Sequence, residues 1–169
     1  MVAGMVTGRG TLADIGTDHA FLPIELIRQE KICHAIAMDI NQGPLKAAKE
    51  HIAACGYENQ IETRLSDGMA ALAPGEACSA VIAGMGGALT VHILTEGKEK
   101  AGQMKELILQ PQSELWKFAC SLWNPDMSLT MSRCCRRMAN SIQPCACFPQ
   151  EQHERLFFQR QNFSMGPVS

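Results

Sequence analysis

Short unbroken apolar runs alternate along this chain with segments whose apolar positions repeat at helical spacing. Leu12, Ala13 and Ile15 suit a buried strand, and Gly16-Thr17-Asp18-His19 reads as a turn. Phe21 to Gln29 is a helix with Pro23 in its first turn and Phe21, Leu22 and Leu26 facing inward. Cys33 to Met38 is a second strand, ended by Asp39. Gly43-Pro44 opens a helix with Leu45, Ala48 and Ile52 on one face and Gly56 as a left-handed cap. Ile61 to Leu65 is a third strand, followed by Ser66-Asp67-Gly68 and a short Ala-rich helix. Ser79 to Ala83 gives a fourth strand, then Gly84-Met85-Gly86-Gly87 and a helix through about Thr95. Glu106 to Gln110 gives a fifth, stopped by Pro111, and Ser113 to Trp123 an amphipathic helix with Leu115, Trp116 and Ala119. Strands alternating with helices predict an α/β fold with a mostly parallel sheet and right-handed crossovers.

Composition narrows this picture without changing it. At 169 residues, 46% hydrophobic and 19% charged, the chain suits one soluble globular domain. No run approaches the roughly 18–20 apolar residues of a membrane span, and MVAGMVTGRG lacks the layout of a secretory signal. Those ten residues also offer no helix or arm before the first strand. The net charge of −2 exerts no general pull on nucleic acid, and the first 123 residues hold no dense basic patch. Of the eight cysteines, Cys33, Cys55 and Cys78 read as ordinary buried thiols. Cys120, Cys134, Cys135, Cys145 and Cys147 crowd the last third near His153, but no CxxC pair stands at ligand spacing, so no metal is expected. Reduced thiols and a cytoplasmic location follow.

The chemistry lies at strand ends. Asp14 and Asp18, then Asp39, then Asp67 close the first three strands or begin the loops after them. Ligands of open α/β sheets bind at those ends. Asp39 follows Asp14 by 25 residues, near the offset of about 20 expected of a ribose-binding acid. The first loop keeps only Gly16 of a GxGxxG fingerprint and carries Asp18 and His19 where further glycines would stand; Asp18 repels a pyrophosphate, which disfavours NAD or FAD. Carboxylates instead suit a cofactor with a cationic amine, such as S-adenosylmethionine. Asp14 or Asp18 then serves the amino-acid end, Asp39 the ribose and Asp67 the adenine amino group. Gly84-Met85-Gly86-Gly87 reads as a backbone-lined floor under the transferred methyl. His19 is a base or substrate contact, whereas His34, His51 and His92 have no partner in view and read as structural.

ADIGTDHAFLP, AMDINQGPLKAAKEHI, RLSDG, VIAGMGG and LILQPQSELWKF resemble the bacterial tRNA (adenine-N1)-methyltransferases that modify position 22 of tRNA. The resemblance covers about Leu12 to Trp123. It implies a Rossmann-like class I methyltransferase sheet, S-adenosylmethionine as methyl donor, and N1 of an adenine in the D-arm region of tRNA as acceptor. Position by position, Asp14, Gly16, Thr17, Asp18 and His19 match the first cofactor loop, Asp39 with Ile40 the ribose side, and Asp67-Gly68 the adenine side. Gly84-Met85-Gly86-Gly87 stands where many amino-methyltransferases carry Asn/Asp-Pro-Pro-aromatic. Adenine N1 already has an in-plane lone pair, so alignment is the main requirement. Asp18 or His19 is the nearest proton acceptor.

The resemblance also marks a boundary. The family's N-terminal helix, terminal sheet hairpin and C-terminal helical domain have no counterpart here, so 1–123 is expected to be the cofactor-binding core and 124–169 an aberrant tail. Regrouping bases across codons turns Met127 before Ser128 into Glu and Met138 before Ala139 into Gly, and the shifted text resembles the family's last two strands. A frameshift near Asn124 is therefore expected, with tRNA binding lost. A non-catalytic cofactor-binding remnant is the alternative to an active methyltransferase.

Overall fold

The apolar runs become strands because a parallel sheet buries both of its faces. The computed structural model describes residues 2–114 and Phe118. It contains β1 (Thr11–Ile15), β2 (His34–Asp39), β3 (Ile61–Leu65), β4 (Ser79–Ala83) and β5 (Glu106–Gln110). They pair in parallel in the order β3-β2-β1-β4-β5, a Rossmann-like sheet. Ile15 is in register with Met38 on one side and Ile82 on the other, so the loops after β1, β2 and β4 leave from one end. The chain adds β2 and β3 on one side of β1, then crosses back to lay β4 on the other. The crevice for a ligand therefore opens above β1 and β4.

Alternation along each strand sorts side chains into two cores. Leu12, Ala35, Ala37, Val81 and Ile108 pack with α1 (Phe21–Arg28) and α2 (Gln42–Cys55) through Ile24, Leu26, Ile27, Ala48 and Ile52. Ala13, Ile15, Met38, Ile82 and Leu109 pack on the opposite face with Met69, Leu72, Phe118 and two further helices. These are α3 (Gly87–Glu96), through Ile93 and Leu94, and α4 (Lys98–Gln103), through Ala101. Pro44 sits in the first turn of α2, where an amide donor is not needed. Gly56 ends α2 at φ 75°, with the Tyr57 N–H donating back to the Ile52 carbonyl.

Several expectations give way to packing. Phe21 does not face inward: at the first position of α1 it is 62% exposed, while Leu26 is buried. No helix follows β3. Residues 67–76 form turns, because Gly68 takes φ 52° and the Ser66 hydroxyl accepts the Ala71 N–H while donating to the Gly68 carbonyl. The N-terminal residues do form an arm. Val2–Gly4 is a 3-10 turn, Val6 is buried, and the buried Glu106 carboxylate accepts from the Thr7 and Gly8 amides and the Thr7 hydroxyl. Cys33 and Cys55 are exposed and Cys78 is half-buried, because the first two occupy element ends rather than core-facing positions. Of the expected Ser113–Trp123 helix, Ser113 and Glu114 are described and not helical and Phe118 is helical and buried; its other residues lie outside the described ones, as do the tail 124–169, its cysteines and the frameshift.

Candidate functional site

Gly16 leaves β1 at φ 79°, a left-handed turn that a side chain would strain. The amides of Gly16 and Thr17 both donate to the Met38 carbonyl at 2.8 Å, fastening the loop to the end of β2. Asp14, two residues earlier, is buried within β1. Burial pushes its carboxyl up to about 6, and the neighbouring Thr17 hydroxyl pulls it partly back. That hydroxyl is itself buried and completes no well-formed hydrogen bond among the described residues. A buried carboxyl beside an orphaned hydroxyl is a site still able to accept a polar ligand.

Asp18 and His19 follow on the exposed side of the loop, with His19 Nε2 3.4 Å from Asp18 Oδ1. His19 and Ala20 both adopt left-handed backbone, at φ 54° and 53°. On β2, Asp39 Oδ1 accepts the Asn41 N–H at 2.7 Å, which fixes the carboxylate at the rim, and Ile40 is exposed beside it. The Asp39 carbonyl accepts the Ser66 N–H, joining the β2 and β3 ends. Asp67 and Gly68 border a cavity of about 230 Å³ closed by α3 through His92 and Ile93. That cavity brings in neither Asp14, Gly16 nor Asp39.

After β4, Gly84 is left-handed at φ 79°. Its N–H donates to both the carbonyl and the side-chain Oε1 of Gln110, at 3.2 and 3.1 Å. The Gln112 N–H donates to the Met85 carbonyl, and Met85 is half-buried against the core. Gly86 bridges to Ser113, and a Cβ on Gly87 would lie 2.8 Å from the Ser113 carbonyl oxygen and 2.9 Å from that of Glu114. Close backbone approach therefore explains this last glycine. Gln110 and Gln112 were not singled out by residue type. Their signal was position, on either side of the proline that stops β5.

On this parallel sheet, with carboxylates at successive strand ends and glycine turns after β1 and β4, a family model for the methyltransferase domain matches residues 1–138. The chain belongs to the methyltransferase domain family. This methyltransferase domain is 43% identical over 110 residues to the tRNA (adenine(22)-N(1))-methyltransferase of Bacillus subtilis, covering 65% of the chain and 46% of that protein. It superposes on the crystal structure of the B. subtilis M1A22 tRNA methyltransferase TrmK with a TM-score of 0.67 and 40% identity, covering 72% of this chain and 52% of that one. Streptococcus pneumoniae Sp1610, in complex with S-adenosyl-L-methionine, gives a TM-score of 0.69 and 38% identity over 72% of this chain and 57% of that one. The methyltransferase domain thus spans 46% of the length of that curated relative. No helix among the described residues is long and apolar enough to cross a membrane.

Proposed function

We propose that this chain is the cofactor-binding part of a cytoplasmic, S-adenosylmethionine-dependent methyltransferase acting on N1 of adenine 22 in bacterial tRNA. The observation that supports the reading is that Gly16, two residues past the buried Asp14, and Asp39 follow the paired residues Ile15 and Met38 at the adjoining ends of β1 and β2, in a chain 43% identical to a protein named for that reaction. The proposal includes a division of the chain at about Trp123.

S-adenosylmethionine, when bound, supplies an electrophilic methyl on a sulfonium. The chain's own groups fit its polar ends. Asp14, with the Thr17 hydroxyl beside it, receives the cationic amine, and the orphaned hydroxyl gains a partner. Asp39 accepts from the ribose hydroxyls, with Ile40 exposed beside it and Asp67-Gly68 at the adenine edge. Gly84, Met85 and Gly86 give backbone against which a flat base approaches, while Gly87 is kept small by the Ser113 and Glu114 carbonyls beside it. Because N1 carries its own lone pair, the residues align rather than activate it. The Asp18–His19 pair, exposed at the rim, accepts the proton from the cationic product.

Calorimetric titration of S-adenosylhomocysteine into the chain, with Asp39→Ala alongside, tests the reading. Saturable binding, lost in the variant, is expected. A folded chain that binds nothing overturns it. Binding without methyl transfer to tRNA would instead make the chain a cofactor-binding remnant, overturning the catalytic part of the proposal.

A further inference from the structure

His51 lies on α2, three residues after the buried Ala48, so it borders the inward face of that helix. Its Nδ1 is 2.7 Å from the backbone carbonyl oxygen of His19, across 32 residues of sequence. A carbonyl only accepts, so Nδ1 carries the proton. The acceptor belongs to the most strained stretch of the loop after β1. His19 and Ala20 are consecutive non-glycine residues in left-handed backbone, a conformation that costs energy at each. The Phe21 ring fills the corner, 5.5 Å from the His19 ring and 4.9 Å from that of His51 in an edge-on contact.

Left-handed pairs persist only where their surroundings hold them. Here the Gly16 and Thr17 amides hold one end of the loop, through Met38, and His51 holds the other. Between them lie Asp18 and His19. We infer that His51 is a positioning residue: its Nδ1–H bond to the His19 carbonyl sets the Asp18–His19 turn over the crevice. The same loop carries Thr17, which the proposed site sets beside the cofactor's amine, so its order bears on cofactor affinity. His51 acts by lowering the ordering cost of a loop that is otherwise free to leave the left-handed region. The inference rests on the proposed cofactor site.

Two measurements test it. Imidazole proton–nitrogen correlation spectra are expected to show neutral His51 as the Nδ1-protonated tautomer, the minor form of a free histidine. Titration with S-adenosylhomocysteine is expected to show about five- to tenfold weaker binding by His51→Ala, the worth of one net hydrogen bond. His51→Gln, whose amide donates to the same carbonyl, is expected to recover most of that loss. An Nε2-protonated ring overturns the inference, as does unchanged affinity in His51→Ala. Equal weakening in both variants also overturns it, by pointing to packing rather than the bond. If His51→Ala does not fold, the tautomer and the glutamine variant decide. Wild-type chain that binds no S-adenosylhomocysteine fails the functional reading itself, whereas binding by wild type with no effect of His51 fails the inference alone.

Discussion

The methyl end of Met85 lies over Gly16, so closely that a Cβ on Gly16 would come within 2.0 Å of Met85 Cε. The two turns that flank the crevice therefore touch through the side chain of one and the missing side chain of the other. Gly16→Ala is expected to cost about 1–2 kcal/mol of stability, mainly from left-handed strain, since the flexible end of Met85 can move aside. Adding Met85→Ala removes the clash and leaves the strain, so only part of the loss returns. Thermal unfolding of the single and double variants checks this, and full recovery in the double variant would show that φ at Gly16 carries no cost.

Asp14 gives the domain an inverted acid response. Its carboxyl titrates near 6 when folded, against an ordinary value of 3.8. Between those values the native state holds a proton that the unfolded chain has released, so stability falls as pH rises through the window. The change amounts to about 3 kcal/mol at most, from the separation of the two values. Asp14→Asn is expected to flatten that part of the pH–stability curve while weakening S-adenosylhomocysteine binding. In the wild type, affinity for the ammonium end of this ligand is expected to rise with pH through about 6, as the carboxylate forms. Denaturant titrations and calorimetry over the same pH series measure both trends.

Arg64 on β3 reaches Glu62 and Glu76 and also donates to the Ala71 carbonyl, so one guanidinium pins the turn region after β3. Its side chain is 22% exposed and that of Glu76 is 29% exposed, so part of the attraction is screened. Arg64→Ala is expected to cost about 1 kcal/mol and to speed amide exchange over 66–76. The Arg64 bond holds the Glu76 carboxyl down at about 2. Its contribution is complete above the ordinary 4.5 and is lost as pH falls toward 2. Glu76→Gln should remove that acid-side loss, and a variant that keeps it would refute the pairing.

Glu106 ties the N-terminal arm to β5 through three donors. Glu106→Gln keeps the volume but introduces an amide facing N–H donors. A loss of about 1–3 kcal/mol is expected. Faster exchange should be confined first to Thr7 and Gly8, and uniform exchange across the sheet would contradict a local strap.

β1, β2, β4 and β5 were legible because each carries a short apolar run between glycine, proline or acid punctuation, whereas β3, an edge strand reading IETRL, shows no such run; β3, β4 and β5 begin and end where the sequence places them. The polar α4 was not legible, since Lys98–Gln103 has no apolar period and only Ala101 is buried. The turns after β3 were misread as helix because alanines signal propensity, whereas Ser66 and Gly68 decide the local hydrogen bonding. At the site, parallel pairing brings Gly16, Asp39 and Gly84 to one end wherever the strands themselves are recognised. What stayed hidden were contacts between distant segments, such as His51 with the His19 carbonyl or Gln110 with the Gly84 amide. Nothing in either residue's neighbourhood along the chain announces its partner.

The position of β1 at the centre of the sheet has a consequence for synthesis. β1 precedes the other four described strands, yet Leu12 meets Ser79 of β4 only after 67 further residues. At about 5–20 residues per second that is roughly 3–13 s on the ribosome with one flank of the strand open. For that interval the β3-β2-β1 half presents an apolar edge ready to pair with any extended chain nearby. A nascent chain of this sequence thus passes through its most aggregation-prone state before the residues of the second glycine turn have been made.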